Sequence, residues 1–241
     1  MNKDVMTTLA LVFLILFIVF AVAHLIGEVV IYAGKEKAGM IVRYITKPFL
    51  MPLVVVYYVL NAPFICGFIV AGLIFGFIGD ILLMLSSPEK RKVAFIIGLI
   101  AYPISHIFYT VAFVFNILTR ATPYVFWYWT LGISIPMVIL GVIASNKILP
   151  KAGKMKIPML LNIIILVIMG VVSTFLFSSF ALKGVITLVV GVFIYMFSVL
   201  IYAWHNYVQP VPFERLIKMS TYLIGLFLIV QGFMWVICNC G

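Results

Sequence analysis

Apolar residues run along this chain in eight long stretches, parted by short joins that hold most of the charges and helix breakers. Each stretch is long enough to cross a hydrocarbon core of about 30 Å as a helix. The pattern predicts helices over 5–32, 40–60, 63–86, 92–117, 123–145, 156–178, 182–206 and 214–238. The joins carry Gly34 and Gly39, Asn61-Ala62-Pro63, Ser87-Pro88, Thr122-Pro123, Pro150 with Gly153, Lys183-Gly184, and Pro210 with Pro212. All are residues that end helices or turn chains. Pro48, Pro52, Pro103 and Pro136 fall inside spans, where neighbouring groups can satisfy the carbonyl that each leaves without its helical partner. They mark candidate kinks.

The start needs separate treatment. A short charged segment, an apolar run and Ala21-Val22-Ala23 resemble a signal peptide with its cleavage site. Apolar character resumes directly in LIGEVVIYAG, so residues 1–23 are kept as part of helix 1.

Composition agrees with the pattern. The 241 residues are 66% hydrophobic and 9% charged, with a mean hydropathy of +1.31. A soluble globular domain has about 25% charged residues. The expected fold is therefore an all-α membrane protein of eight transmembrane helices, in a single integral domain over residues 1–241.

A net charge of +10 raises nucleic acid as a partner, but the cations form no groove or stripe. They sit in the turns, as membrane-surface electrostatics require, so the expected partner is the bilayer and not nucleic acid. One set of helix ends collects Lys35, Lys37, Arg43, Lys47, Lys90, Arg91, Lys92, Lys147, Lys151, Lys154, Lys156, Arg215 and Lys218; the other has Lys3, Arg120 and Lys183. The positive-inside rule puts the first set in the cytoplasm and both termini outside, as an even helix count requires. We read the location as a prokaryotic plasma membrane. Tyr124, Phe126, Trp127, Tyr128 and Trp129 suit an aromatic belt at the outer interface. Cys66 reads as a packing residue, and the terminal Cys238-Asn239-Cys240-Gly241 lacks the aliphatic residues of a prenylation signal.

A weak internal repeat is visible. Gly72 precedes Asp80 by eight residues in helix 3, and Gly191 precedes Val199 by eight in helix 7. This predicts two four-helix halves of like orientation, with Val199 at the counterpart of Asp80.

Asp80 is the residue around which candidate chemistry gathers, because a charge within a span is costly and is usually kept for function. Gly72, Gly76 and Asp80 share one helix face, so another helix can approach the carboxyl closely. By helical rise, Asp80 lies roughly 9 Å from the cytoplasmic end of helix 3. His24, Glu28, Ser198 and Tyr202 fall in the same half of the bilayer. Tyr102 is near that level, and His106 is one turn further along the same face of helix 4. Two readings of Asp80 stay open, a structural interhelical hydrogen bond and a working acid. His24 and Glu28, four apart on helix 1, read as a local pair or as a partner for Asp80. Tyr102, His106 and Tyr109 read as packing aromatics or as pocket lining. His24, Glu28, Asp80 and His106 have no metal-ligand spacing, so neither a metal nor another cofactor is expected.

The order of motifs resembles the YhhN-like lysoplasmalogenase family. TKPFLMPL at 46–53 is similar to that family's entry into helix 2, and AGLIFGFIGDILL at 71–83 to its Gly-Asp motif. IAYPISHIFYTVAF at 100–113 is similar to its His-containing helix 4, and 191–225 to its segment spanning helices 7 and 8. The resemblance implies hydrolysis of the vinyl ether bond of a lysoplasmalogen or related lysophospholipid, giving a fatty aldehyde and a glycerophospho-headgroup. It implies Asp80 as general acid, with His106 as a second catalytic group. Tyr102, Tyr109, Lys47, Ser198 and Asn162 are then substrate-binding, Lys47 meeting the headgroup phosphate. An apolar environment favours the protonated form of a carboxyl, which suits an acid. The chain departs from the family pattern at Val199, where the family has a second Asp, and at Leu226 and Asn162, where it has Gln and Tyr. Glu28 and His24 are the candidates to stand in for the lost carboxylate. The resemblance also admits a non-catalytic lipid-binding member, and the repeat with its intramembrane acid a small transporter.

Overall fold

The computed structural model describes residues 3–85, 92–120, 127–178 and 182–238. Among the described residues there are eight long helices and no strands. They are α1 (Lys3–Tyr32), α2 (Glu36–Asn61), α3 (Gly67–Leu85), α4 (Lys92–Arg120), α5 (Trp127–Ile148), α6 (Lys156–Thr174), α7 (Leu182–Tyr207) and α8 (Glu214–Cys238). All eight are long and apolar enough to cross a membrane. The chain is an integral membrane protein. Ser87-Pro88, Lys90, Arg91, Thr122-Pro123, Tyr124, Phe126 and Cys240 lie outside the described residues.

Three of the boundaries that differ from the sequence pattern do so for local reasons. Helix α2 begins at Glu36, because Gly34, at a φ of 84°, makes the turn alone and Gly39 remains helical. Helix α3 begins only at Gly67; before it, the Cys66 amide donates to the Tyr58 hydroxyl at 3.0 Å, which fixes the connection against α2. Helix α6 ends at Thr174, and a tighter 3₁₀ turn carries the chain over Phe175–Ser178. Pro48, Pro52, Pro103 and Pro136 all sit inside helices that continue through them.

The contacts divide the chain into two compact units, Met1–Ser105 and His106–Gly241. The division falls inside α4, not in the α4–α5 connection where two four-helix halves would part. In unit 1, α1 packs on α2 and α2 on α3. A methyl on Gly39 would come within 2.5 Å of the Gly27 carbonyl oxygen, so the first two backbones touch. The first half of α4 joins α3 through Ser105, whose hydroxyl donates to the Gly72 carbonyl oxygen at 2.7 Å. Gly72, Gly76 and Asp80 are all buried, as their shared face requires.

In unit 2, α7 and α8 form the tightest pair. Gly184 crosses Gly232 and Gly191 crosses Gly225, each pair seven residues apart on its helix. Lipid is as apolar as leucine, so helices associate in a bilayer largely through such close packing. Phe113 of α4 stacks on Phe233 of α8 with ring centroids 6.1 Å apart, which ties the second half of α4 to this unit.

These crossings have a direct test. A side chain on Gly232 would run into the Leu188 amide and the Gly184 carbonyl, whereas Gly132 has open space around it. Gly232→Val should lower stability in micelles by about 1–3 kcal/mol, the usual cost of overpacking. Gly132→Ala should leave it unchanged or slightly raised, as read by reversible unfolding in mixed detergent.

Candidate functional site

Among the described residues, unit 1 holds two buried carboxyl groups, Glu28 and Asp80, and α2 supplies a cation to each. Asp80 lies roughly 7.5 Å from the end of α3 at Leu85, by helical rise. Lys47 is eleven residues into α2, or roughly 16 Å along it. Lys47 Nζ is 3.1 Å from Asp80 Oδ1, and both side chains are buried. The Tyr102 hydroxyl donates to the same oxygen at 2.9 Å. The Tyr102 ring lies against Gly79, where a methyl would come within 3.0 Å of it. The glycine before Asp80 therefore makes room for the tyrosine that binds Asp80.

Lys47, read in the sequence as meeting a headgroup phosphate, here lies beside a carboxyl group, and that group belongs to Asp80, read in the sequence as the acid. The Lys47 ammonium and the Tyr102 phenol are both directed at one Asp80 oxygen.

One turn back along α2 stands a second pair. Arg43 Nε is 3.5 Å from Glu28 Oε1, and His24 Nε2 is 3.8 Å from the same oxygen. His24 Nδ1 is 2.9 Å from Thr46 Oγ1. His24 and Glu28 are buried completely or nearly so, whereas Arg43 is partly exposed. Arg43 and Lys47 are four apart, so one face of α2 carries both cations.

The remaining candidates lie in unit 2. His106 Nε2 is 3.1 Å from the Tyr195 hydroxyl, and the two rings meet edge to face with centroids 5.4 Å apart. Tyr195 in turn lies 5.5 Å from the Tyr222 ring. Tyr109 is fully buried beside this region of α4. The Ser198 hydroxyl donates to the Lys218 carbonyl oxygen at 2.8 Å, so it joins α7 to α8. Asn162 is half-buried on α6, and its Oδ1 has no hydrogen-bond partner among the described residues. Also among them, no three His, Cys, Asp or Glu side chains converge on a metal position.

The model of the YhhN family matches residues 42–233, from Val42 on α2 to Phe233 on α8. The chain belongs to the YhhN family. No curated protein and no solved structure matches the chain. Arg43, Thr46, Lys47, Asp80 and Tyr102 fall within the YhhN match, while His24 and Glu28 on α1 precede it. Arg43, Gly79, Thr46 and Tyr195 had no assigned role in the sequence. Their signals were there as an (i, i+4) cation pair on α2 and a glycine beside the carboxylate.

The Lys47–Asp80 pair makes a sharp stability prediction. Removing one partner strands a charge in a low-dielectric interior, which costs about 3–5 kcal/mol. Lys47→Met should destabilise the protein by that order. The double change Lys47→Met with Asp80→Leu should recover most of the loss, measured by reversible unfolding in micelles.

Proposed function

We propose that this protein hydrolyses the vinyl ether bond of a lysoplasmalogen or a related lysolipid at Asp80, Lys47 and Tyr102. The observation that carries the reading is the ion pair between Lys47 and Asp80, buried within membrane-spanning helices and steadied by Tyr102. Family membership agrees with it.

The chemistry needs one proton delivered and one recovered. Protonating the distal vinyl carbon forms a C–H bond and leaves an oxocarbenium ion at the carbon bonded to oxygen. Lys47 holds the proton at rest, and the Asp80 carboxylate stabilises the cation as it forms. Water adds to the cation and loses a proton to the Lys47 amine. The resulting hemiacetal breaks its C–O bond, with a proton passing from its hydroxyl to the departing oxygen. One water is consumed, and a fatty aldehyde and a glycerophospho-headgroup are released. Asp80 thus acts as partner of the acid and not as the resting acid itself. Tyr102 fixes the carboxylate and marks the edge of the substrate position.

The basic helix ends belong to the same reading. With Lys35, Lys37 and Arg43 toward the cytoplasm and both termini outside, a lysolipid enters from the inner leaflet of a prokaryotic plasma membrane. The contrary reading, a lipid-binding protein without turnover, draws on the same pair, because Lys47 and Tyr102 already satisfy the oxygen that they share.

Aldehyde release from lysoplasmalogen by purified protein separates the two. Asp80→Asn should reduce it by about 10²-fold or more, the usual range for loss of a group that stabilises charge developing in the transition state. Lys47→Arg should keep the ion pair and the fold but also reduce release at least tenfold, since arginine does not give up its proton. Turnover by wild type no greater than by Asp80→Asn would sink the hydrolase reading.

A further inference from the structure

In the second buried cluster of unit 1, hydrogen-bonding side chains join α1 to α2. The Thr46 hydroxyl has one proton, and it points to the Val42 carbonyl oxygen at 2.8 Å. Toward His24, 2.9 Å away, that hydroxyl can therefore only accept. With the Thr46 proton on Val42, the donor in this contact is His24 Nδ1. Its other nitrogen, Nε2, faces Glu28 Oε1 at 3.8 Å. The second Glu28 oxygen, Oε2, is buried and has no hydrogen-bond partner among the described residues.

An ionised carboxylate oxygen left unpartnered in such surroundings is costly. Both His24 and Glu28 are almost fully buried, at 0% and 1% exposure.

We infer that His24 and Glu28 together form a proton-binding site, one turn of α2 away from the Lys47–Asp80 pair. With His24 neutral, Arg43 and Glu28 balance each other. Uptake of one proton creates Nε2–H toward the Glu28 carboxylate. The surrounding charges are few. On α2, which packs against α1, the charged groups are Glu36, Lys37, Arg43 and Lys47. Arg43 meets Glu28, Lys47 meets Asp80, and Glu36 and Lys37 are exposed in the first turn. On α1, Tyr32 is exposed one turn beyond Glu28, and the exposed Lys35 closes the hairpin.

The site itself stands on this geometry alone. Its use in turnover rests on the hydrolase reading, in which added water must release a proton.

The test uses the full chain, labelled with ¹⁵N-histidine, in phosphatidylcholine–phosphatidylglycerol nanodiscs between pH 5 and 8. The three histidines are told apart by single substitutions of His106 and His205. At the alkaline end His24 should be the neutral Nδ1–H form, and acidification should add the second proton. Glu28→Gln should reduce the doubly protonated fraction at least threefold at the wild-type midpoint. Thr46→Val should let the Nε2–H form appear. Finding Nε2–H in the wild type, no second proton over this range, or no effect of Glu28→Gln would overturn the assignment. If Glu28→Gln fails to fold, the wild-type form and the Thr46→Val response still decide. Absence of aldehyde release with the His24 titration intact removes the hydrolase reading and leaves the proton site standing.

Discussion

A carboxylate in the middle of a membrane protein has to be compensated, and in unit 1 α2 supplies the compensation. Transfer of an isolated charge into a low-dielectric interior costs far more than any single packing contact returns. Lys47 beside Asp80 and Arg43 beside Glu28 turn two such charges into two neutral pairs. The close approach of α1 to α2 at Gly27 and Gly39, and the space that Gly79 leaves for Tyr102, keep those pairs short. The small residues and the charged ones thus answer one electrostatic requirement.

Hydrogen bonds finish what charge pairing begins. Tyr102 binds Asp80 Oδ1, Thr46 binds His24, and the Ser105 hydroxyl binds the carbonyl of Gly72. Each crosses between helices where lipid offers no alternative partner. That is why polar side chains in these helices turn toward other helices.

Much of the fold was legible because hydrophobic runs of membrane length carry a strong signal. All eight helices appear where the apolar stretches lie, and Asp80 with its glycine face is buried as expected. The partner of Asp80 was hidden by a helix boundary. Starting α2 at residue 40 puts Lys47 roughly 10 Å from the helix end, within reach of headgroups for a snorkelling side chain. The true start at Glu36 buries it one turn deeper. Glycine was read there as a breaker, but Gly39 is helical and Gly34 alone makes the turn. The contact of His24 with Thr46 was hidden for another reason, because it depends on how closely α1 and α2 pack and not on residue type.

The identities of the two cations matter as much as their positions. Arginine spreads its charge over a planar group, remains protonated throughout, and suits the partly exposed edge of the cluster where Arg43 stands. Lysine is a compact donor that can release its proton when buried, and Lys47 occupies the deeper position. An arrangement required only for charge balance would be served by either residue at either depth. Here lysine, the kind of side chain that can give up a proton when buried, is held against Asp80, and arginine, which does not, stands beside Glu28 and His24. Asp80 is thus met by Lys47 and Tyr102, and Glu28 by Arg43 and His24.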